Sequence, residues 1–166
     1  MTTANTSTPK TAADPLALVD VDHVRFFVGN AKQAAFFYAM TFGFQVTQYS
    51  DLTTGDRQMA RYFLHQGNIR FILETPLQPD HPANTELQKY GDGIKDIAYT
   101  VHDAEKAYER ALKNGAVSAH EPETFSDENG TVTTASIRTY GRAVHTFVSR
   151  TGDYSLRELK HGGLFL

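Results

Sequence analysis

An internal repeat constrains the fold of this chain more than any single motif. Residues 21–44 contain a short β-like run, a turn, a helix-like run and a closing glycine, and a second copy begins at residue 94. The copies align residue by residue when 73, the difference between 21 and 94, is added to each position. Each copy is one supersecondary unit, so the repeat sets the architecture in which every motif of the chain lies. It predicts one domain of two modules.

Each copy predicts a strand that leads into a capped helix. In the first copy Val24 alternates with His23 and Arg25, which indicates a strand with a different environment on each face. Asn30 and its equivalent Asp103 stand directly before an alanine and a helical run, where a side-chain oxygen can accept a hydrogen bond from the first helical turn. Three strand-like runs follow each helix. The predicted fold class is therefore α+β, built from two βαβββ modules.

The predicted boundaries divide the chain into a leader, one domain and a terminal linker. Residues 1–14 consist mainly of Thr and Ala with single Ser, Pro and Lys residues, and they predict a disordered leader. The domain covers 15–152, with module one at 20–76, module two at 93–151 and a polar connection with a short helix at 84–90. The predicted strands are 21–28, 44–50, 58–65, 68–75, 94–101, 117–121, 131–140 and 143–150, and the predicted helices are 31–42 and 103–113. Residues 153–166 predict a linker.

Composition excludes several classes of function. The formal net charge is −3, without a basic footprint, so no nucleic-acid partner is expected. No apolar run reaches the ~20 residues that span a bilayer, so no membrane partner is expected either. The chain has no cysteine, which excludes disulfides, thiolate nucleophiles and cysteine-ligated metals. Together these features predict a cytoplasmic protein.

Motif searches yield no catalytic residue. His120 and Glu121 do not begin an H-E-x-x-H zinc motif, because Thr124 stands at the position of the second histidine. The glycines near residue 92 lack the spacing of a phosphate-binding loop, and no G-x-S-x-G nucleophile elbow is present. His145 is predicted to face the helix side of its strand, where it serves packing. The sequence therefore predicts no catalytic residue, and the substrate-binding residues stay unknown.

Three segments carry a resemblance to a known family. The paired βαβββ modules resemble the vicinal oxygen chelate superfamily, also called the glyoxalase-bleomycin resistance superfamily, in which two modules form a curved mixed sheet around a cavity. More narrowly, VGNAKQAAFFYAMTFGF, GDGIKDIAYTVHDAEKAYERA and DENGTVTTASIRTYGRAVHTFVSRTG resemble the N-terminal half of bacterial 4-hydroxyphenylpyruvate dioxygenases. The related hydroxymandelate synthases share this half. The resemblance covers about residues 21–152.

The resemblance implies a function for a larger protein. The family converts 4-hydroxyphenylpyruvate and dioxygen to homogentisate and carbon dioxide in tyrosine catabolism, with Fe(II) as cofactor and an aromatic 2-oxo acid as substrate. In the family the C-terminal half holds the iron, so this chain is expected to be inactive alone and to partner with that half or with another copy of itself. Residues 153–166 would then lead to the C-terminal domain. The alternatives are a hydroxymandelate synthase half, or a free-standing protein that binds a small molecule with or without a metal.

The resemblance also identifies where a vestigial metal site would lie. By module register, the two histidines and the carboxylate of the family correspond to His23, Asp96 and Thr146, and Thr is a poor ligand for Fe(II). Glu74 stands where glyoxalase-type relatives can carry a metal carboxylate. His23, Glu74 and Asp96 are the resulting candidate cluster. No metal is expected, with His23 structural and Asp96 bonded to Arg25.

Overall fold

The computed structural model describes residues 14, 16–128 and 130–152. The predicted linker at 153–166 and, apart from Asp14, the predicted leader at 1–14 lie outside the described residues. Both remain predictions.

Each module forms one helix and four strands, in the predicted order. Module one contains β1 (Leu18–Phe27), α1 (Ala31–Phe42), β2 (Gln45–Ser50), β3 (Met59–Gln66) and β4 (Ile69–Pro76). A helix in the connection, α2, covers Pro82–Tyr90. Module two contains β5 (Gly93–Val101), α3 (Ala104–Lys113), β6 (Ser118–Asp127), β7 (Gly130–Arg138) and β8 (Val144–Gly152). The α+β class is thereby confirmed.

The eight strands form one curved mixed sheet. Their order is β2-β3-β4-β1-β5-β8-β7-β6, so each module contributes one half. The first strand of each module pairs in parallel with its last strand, β1 with β4 and β5 with β8. The two halves join where β1 and β5 pair antiparallel. This arrangement relates the modules by an approximate two-fold rotation and agrees with the repeat.

The repeat extends to the hydrogen bonds that begin α1 and α3. Asn30 and Asp103 both have extended backbones, and each side chain accepts from the amide three residues later at 3.0 Å. The first amide of each helix donates to a hydroxyl on the last strand of its module, Thr75 for α1 and Ser149 for α3. Since these bonds satisfy amides that a helix leaves open, they fix each helix against its sheet. The predicted caps are confirmed.

Both of these helices pack on one face of the sheet, which we call the helix face. Under α1 the buried core contains Val28, Ala31, Ala35, Phe44, Tyr62, Leu64 and Leu73. Under α3 it contains Val101, Ala104, Ala107, Tyr108, Ala111, Ala135 and Phe147. Small alanines in both helices allow close approach to the strands. The opposite, concave face is therefore left for other groups.

Several predicted boundaries were wrong. Strand β1 begins at Leu18 and not at residue 21, and β7 and β8 end at Arg138 and Gly152 and not at residues 140 and 150. Strand β6 continues to Asp127, whereas the prediction ended it at residue 121. Proline lacks the amide that a central strand requires, yet β6 is an edge strand and the pairing shifts register between His120 and Glu123, so Pro122 is tolerated. Helix α2 begins at Pro82 and not at residue 84, because proline suits the first position of a helix.

Candidate functional site

Polar side chains cross the concave face in a row, with one from each of six adjacent strands. In order from β3 to β7 they are Arg61, Glu74, Arg25, Asp96, Thr146 and Ser136. We call this set the polar row. All of its members except the half-buried Arg61 are buried. Buried polar groups of this kind must be bonded to one another, because an unpaired charge away from water is costly.

Two arginines flank Glu74 in the polar row. Arg61 Nε donates to Glu74 Oε1 at 3.0 Å, and Arg25 Nε lies 3.6 Å from the other oxygen of Glu74. On its other side, Arg25 Nη2 lies 3.9 Å from Asp96 Oδ2. One guanidinium thus lies between two buried carboxylates. The predicted contact between Arg25 and Asp96 is present.

Hydroxyls complete the polar row on the side of module two. Thr146 Oγ1 donates to Asp96 Oδ2 at 2.6 Å, and it lies 2.8 Å from Ser136 Oγ. Asp96 Oδ2 therefore has a hydroxyl donor and a nearby cation. The Thr146 hydroxyl is therefore engaged in a bond to Asp96.

A second buried cluster is centred on Asp22. Its carboxylate accepts from Thr100 Oγ1 at 3.0 Å and from two nitrogens of the Arg150 guanidinium. His23 Nδ1 lies 2.7 Å from Asp22 Oδ1, and because a carboxylate only accepts, this nitrogen carries the proton. Burial raises the pKa of Asp22, but the His23 imidazole and the Arg150 guanidinium outweigh it and hold this pKa well below its ordinary value.

Sequence reasoning missed Asp22 because strict alternation places neighbouring residues on opposite faces. Strand β1 contains a bulge between Val21 and His23, where the pairing with β5 shifts register. A bulge inserts one extra residue, so Asp22 and His23 are both buried and their side chains meet. Adjacent acidic and imidazole residues inside an apolar run were the available signal.

The candidate metal cluster does not assemble as a ligand set. Glu74 and Asp96 lie on either side of Arg25, and His23 is bonded through Nδ1 to Asp22. Among the residues that the structure describes, no group of three His, Asp or Glu side chains is placed to hold a metal ion. A guanidinium supplies positive charge where a cation would have to bind. The donors present therefore do not fit Fe(II), and metal-free behaviour stays a prediction.

A cavity of about 980 Å³ is lined by three members of the polar row, Arg25, Arg61 and Glu74. Its charged lining consists of Arg25, Arg61, Lys95, Arg138, Arg142, Glu74 and Glu86. Phe27 is the only phenylalanine among the described residues of its lining. Phe26, Phe44 and Phe71 instead pack together on the helix face.

The remaining histidine candidates have structural surroundings. The His145 ring contacts the Tyr99 ring edge to face, with centroids 5.3 Å apart, and its Nδ1 lies 3.3 Å from the Ile97 carbonyl. This placement on the helix face agrees with the predicted packing role. His120 is exposed on β6, and Thr124 bonds across to Thr133.

Comparison with known proteins identifies the family. Residues 20–139 match the profile of the Glyoxalase/Bleomycin resistance protein/Dioxygenase superfamily. The chain belongs to this superfamily. The match covers module one and module two through the end of β7, so it includes five of the six strands that carry the polar row and ends before β8.

Curated relatives in the superfamily include 4-hydroxyphenylpyruvate dioxygenases. The protein from Dictyostelium discoideum is 47% identical over 132 residues, which are 78% of this chain and 36% of the relative. The protein from Danio rerio is 40% identical over 145 residues, which are 87% of this chain and 35% of the relative. The chain thus spans about a third of the length of these relatives. Both come from eukaryotes, so the expected likeness to bacterial members in particular stays a prediction.

Solved structures of other proteins share the fold. A 4-hydroxymandelate synthase mutant from Streptomyces coelicolor superposes with a TM-score of 0.72 at 20% identity, covering 82% of this chain and 42% of that protein. Methylmalonyl-CoA epimerase from Mycobacterium tuberculosis superposes with a TM-score of 0.64 at 18% identity. The superposition covers 86% of this chain and 94% of that protein. In the described part of the chain, no helix is long and apolar enough to cross a membrane.

Proposed function

We propose that this domain is the N-terminal half of a 4-hydroxyphenylpyruvate dioxygenase, which converts 4-hydroxyphenylpyruvate and dioxygen to homogentisate and carbon dioxide. The observation that carries the proposal is 47% identity over 132 residues to a dioxygenase of that name. The share of that relative covered, 36%, agrees with one domain of a larger enzyme. Tyrosine catabolism in the cytoplasm is the corresponding setting.

In this proposal the chain supplies scaffold and contacts. Fe(II) would support the oxygen chemistry in the C-terminal half, where the aromatic 2-oxo acid also binds. Here the place of a ligand set is taken by the polar row, in which Arg25 neutralises Glu74 and Asp96. Such a bonded row stabilises the concave face without an open coordination position. The chain alone is then expected to be inactive.

A hydroxymandelate synthase half is the second candidate. The superposition on the Streptomyces coelicolor enzyme supports it, although 20% identity carries only the fold. Both candidates place the chemistry outside this chain. The product formed from 4-hydroxyphenylpyruvate distinguishes them, since one yields homogentisate and the other hydroxymandelate.

The proposal is tested on the native gene product that contains this sequence. Its mass is measured by intact mass spectrometry, and its oxygen uptake and products are measured with 4-hydroxyphenylpyruvate and Fe(II). We expect a protein heavier than 18.5 kDa that forms homogentisate, and no oxygen uptake by the 166-residue chain alone. Turnover by the chain alone that is lost in His23→Ala would contradict the proposal and favour a free-standing metalloenzyme.

A further inference from the structure

The buried part of the lining of the 980 Å³ cavity holds no excess of positive charge. Glu74 lies between Arg25 and Arg61, at 3.6 Å and 3.0 Å. Each arginine also has a carboxylate on its other side, Asp96 for Arg25 at 3.9 Å and Asp56 for Arg61 at 2.6 Å. Two guanidinium groups thus face three carboxylates, so this part of the cavity is already neutralised from within the protein.

The outer part of the same lining carries more positive than negative charge. We call it the cationic rim, and its charged members are Lys95 on β5, Arg138 on β7, Arg142 in the turn before β8 and Glu86 on α2. Lys95 Nζ lies 2.8 Å from Glu86 Oε1, and Arg142 Nη1 lies 3.8 Å from the same oxygen. Arg138 Nε donates to the Ser118 carbonyl at 3.2 Å, and no carboxylate of the described residues pairs with it. One carboxylate among three cations leaves two positive charges.

The charges of the cationic rim are accessible. Arg138 is exposed, and the side chain of Arg142 is 45% exposed. Lys89 and then Arg142 lower the pKa of the neighbouring Tyr90 phenol, as expected where positive charge is in excess. A cleft lined by one sign of charge concentrates ligands of the opposite sign. The planar fork of an arginine also matches two oxygens of one carboxylate or phosphate. The rim therefore favours an anion and disfavours a metal cation.

A smaller recess with aromatic walls adjoins the cationic rim. It has a volume of about 250 Å³ and shares Phe27, Lys95 and Arg142 with the cavity, while Tyr90 and Ile94 are among its other walls. Lys95 Nζ lies 5.4 Å from the centroid of the Phe27 ring, and the Arg142 guanidinium lies 5.8 Å from that of Tyr90. Cations and rings are therefore side by side. An apolar group in the recess would lie next to the positive charges.

We propose that the cationic rim and the adjoining recess bind a small organic dianion. Its charged oxygens would lie at Arg138 and Arg142, and its apolar part against Phe27 and Tyr90. Two negative charges match the excess of the rim, and the cavity falls within the ~300–1,000 Å³ that small-molecule sites occupy. A dicarboxylate and a phosphate monoester share this chemistry. The proposal does not depend on the enzymatic function proposed above, because it uses neither iron nor the buried polar row.

The first test measures binding of phenyl phosphate and of phthalate by isothermal titration calorimetry, at about pH 8, where a phosphate monoester carries two charges. The wild-type chain is compared with the double variant Arg138→Gln, Arg142→Gln. The matched control is Arg110→Gln, Lys113→Gln, which removes the same charge from exposed positions of α3. Circular dichroism establishes that all three proteins are folded.

We expect at least one of the two dianions to bind the wild type with a Kd below about 1 mM. Loss of the rim arginines should weaken it by about tenfold or more, the effect of losing one charge-assisted hydrogen bond, and the control should not change it. The tighter of the two dianions identifies the anionic group that the site prefers. No binding of either at about 10 mM, or equal weakening in the rim variant and the control, would overturn the proposal.

The second test separates the recess from the charges. Tyr90→Leu is compared with Tyr49→Leu, which removes an exposed ring on β2 outside the cavity. We expect Tyr90→Leu to weaken the aromatic dianion by about threefold or more and to leave inorganic phosphate unchanged, whereas Tyr49→Leu should affect neither. The monoanion benzoate should bind the wild type more weakly than phthalate. Benzoate binding as tight as that of phthalate, or an aromatic dianion unaffected by Tyr90→Leu, would contradict the proposed ligand class.

Discussion

Asp22 is the residue on which the concave face depends most directly. Its carboxylate bonds His23, Thr100 and Arg150, which connects β1, β5 and β8 across the junction of the modules. Removal of one partner from a buried ion pair leaves an uncompensated charge, which costs more than the pair contributes. The effect of a substitution here should therefore be large.

We predict that Asp22→Asn lowers the free energy of unfolding by about 3 kcal/mol, because the amide cannot balance the Arg150 guanidinium. Urea denaturation followed by circular dichroism measures the change. Asp20→Asn is the matched control, since Asp20 is exposed on the same strand and should change stability by less than ~0.5 kcal/mol. Equal effects of the two substitutions would show that the cluster is not structural.

The pKa of Asp22 predicts an acid dependence of stability. Because this pKa is lowered in the folded protein, the folded state favours the charged form. Its contribution is complete above the ordinary value of 3.8 and is lost as the pH falls through the folded pKa. The free energy of unfolding should fall below that pH in the wild type and fall less steeply in Asp22→Asn. Parallel pH profiles for the two proteins would contradict this assignment.

At the level of residues, alternation in β1 predicted the faces correctly for Val24, Phe26, His23 and Arg25. It failed at Asp22, because the bulge is fixed by the partner strand β5, which local sequence does not specify. The sequence also did not identify the partners of Glu74. Arg61 reaches it across the β3–β4 pair, a contact that depends on register.

At the level of elements, the helix starts test the repeat. Asn30→Ala and Asp103→Ala should each lower the free energy of unfolding by ~1 kcal/mol, because each removes the cap of an equivalent helix. Gln33→Ala in the first turn of α1 is the control and should not destabilise. Thermal and urea unfolding measure all three. A loss of stability in Asn30→Ala without a similar loss in Asp103→Ala would contradict the equivalence of the two modules.

The helices were the most predictable elements, since cap and stripe are local signals. Helix α1 was predicted at 31–42 and observed at Ala31–Phe42, with Gly43 in the left-handed conformation that ends it. The end of β6 was not predictable, because a proline at position 122 locally indicates that the strand ends before it. Only the position of β6 at the edge of the sheet makes the proline acceptable.

At the scale of the whole molecule, the repeat fixed the fold and the polar row decides what the concave face can do. Two modules joined through β1 and β5 create a cavity, but Arg25 lies where a cation would have to bind between Glu74 and Asp96. The sequence identified Glu74, Asp96 and His23 as neighbours of a former site. It predicted the contact of Arg25 with Asp96, but it did not reveal that Arg25 and Arg61 also neutralise Glu74, because that depends on how the neighbouring strands pair.

Iron binding by the chain tests this interpretation most directly. The protein is incubated anaerobically with Fe(II), passed through gel filtration and analysed for metal. Because a complete divalent site needs several convergent donors, we expect below roughly a tenth of an equivalent. About one equivalent of iron, lost in His23→Ala but retained in the exposed control His120→Ala, would contradict the claim that the polar row replaces a metal site.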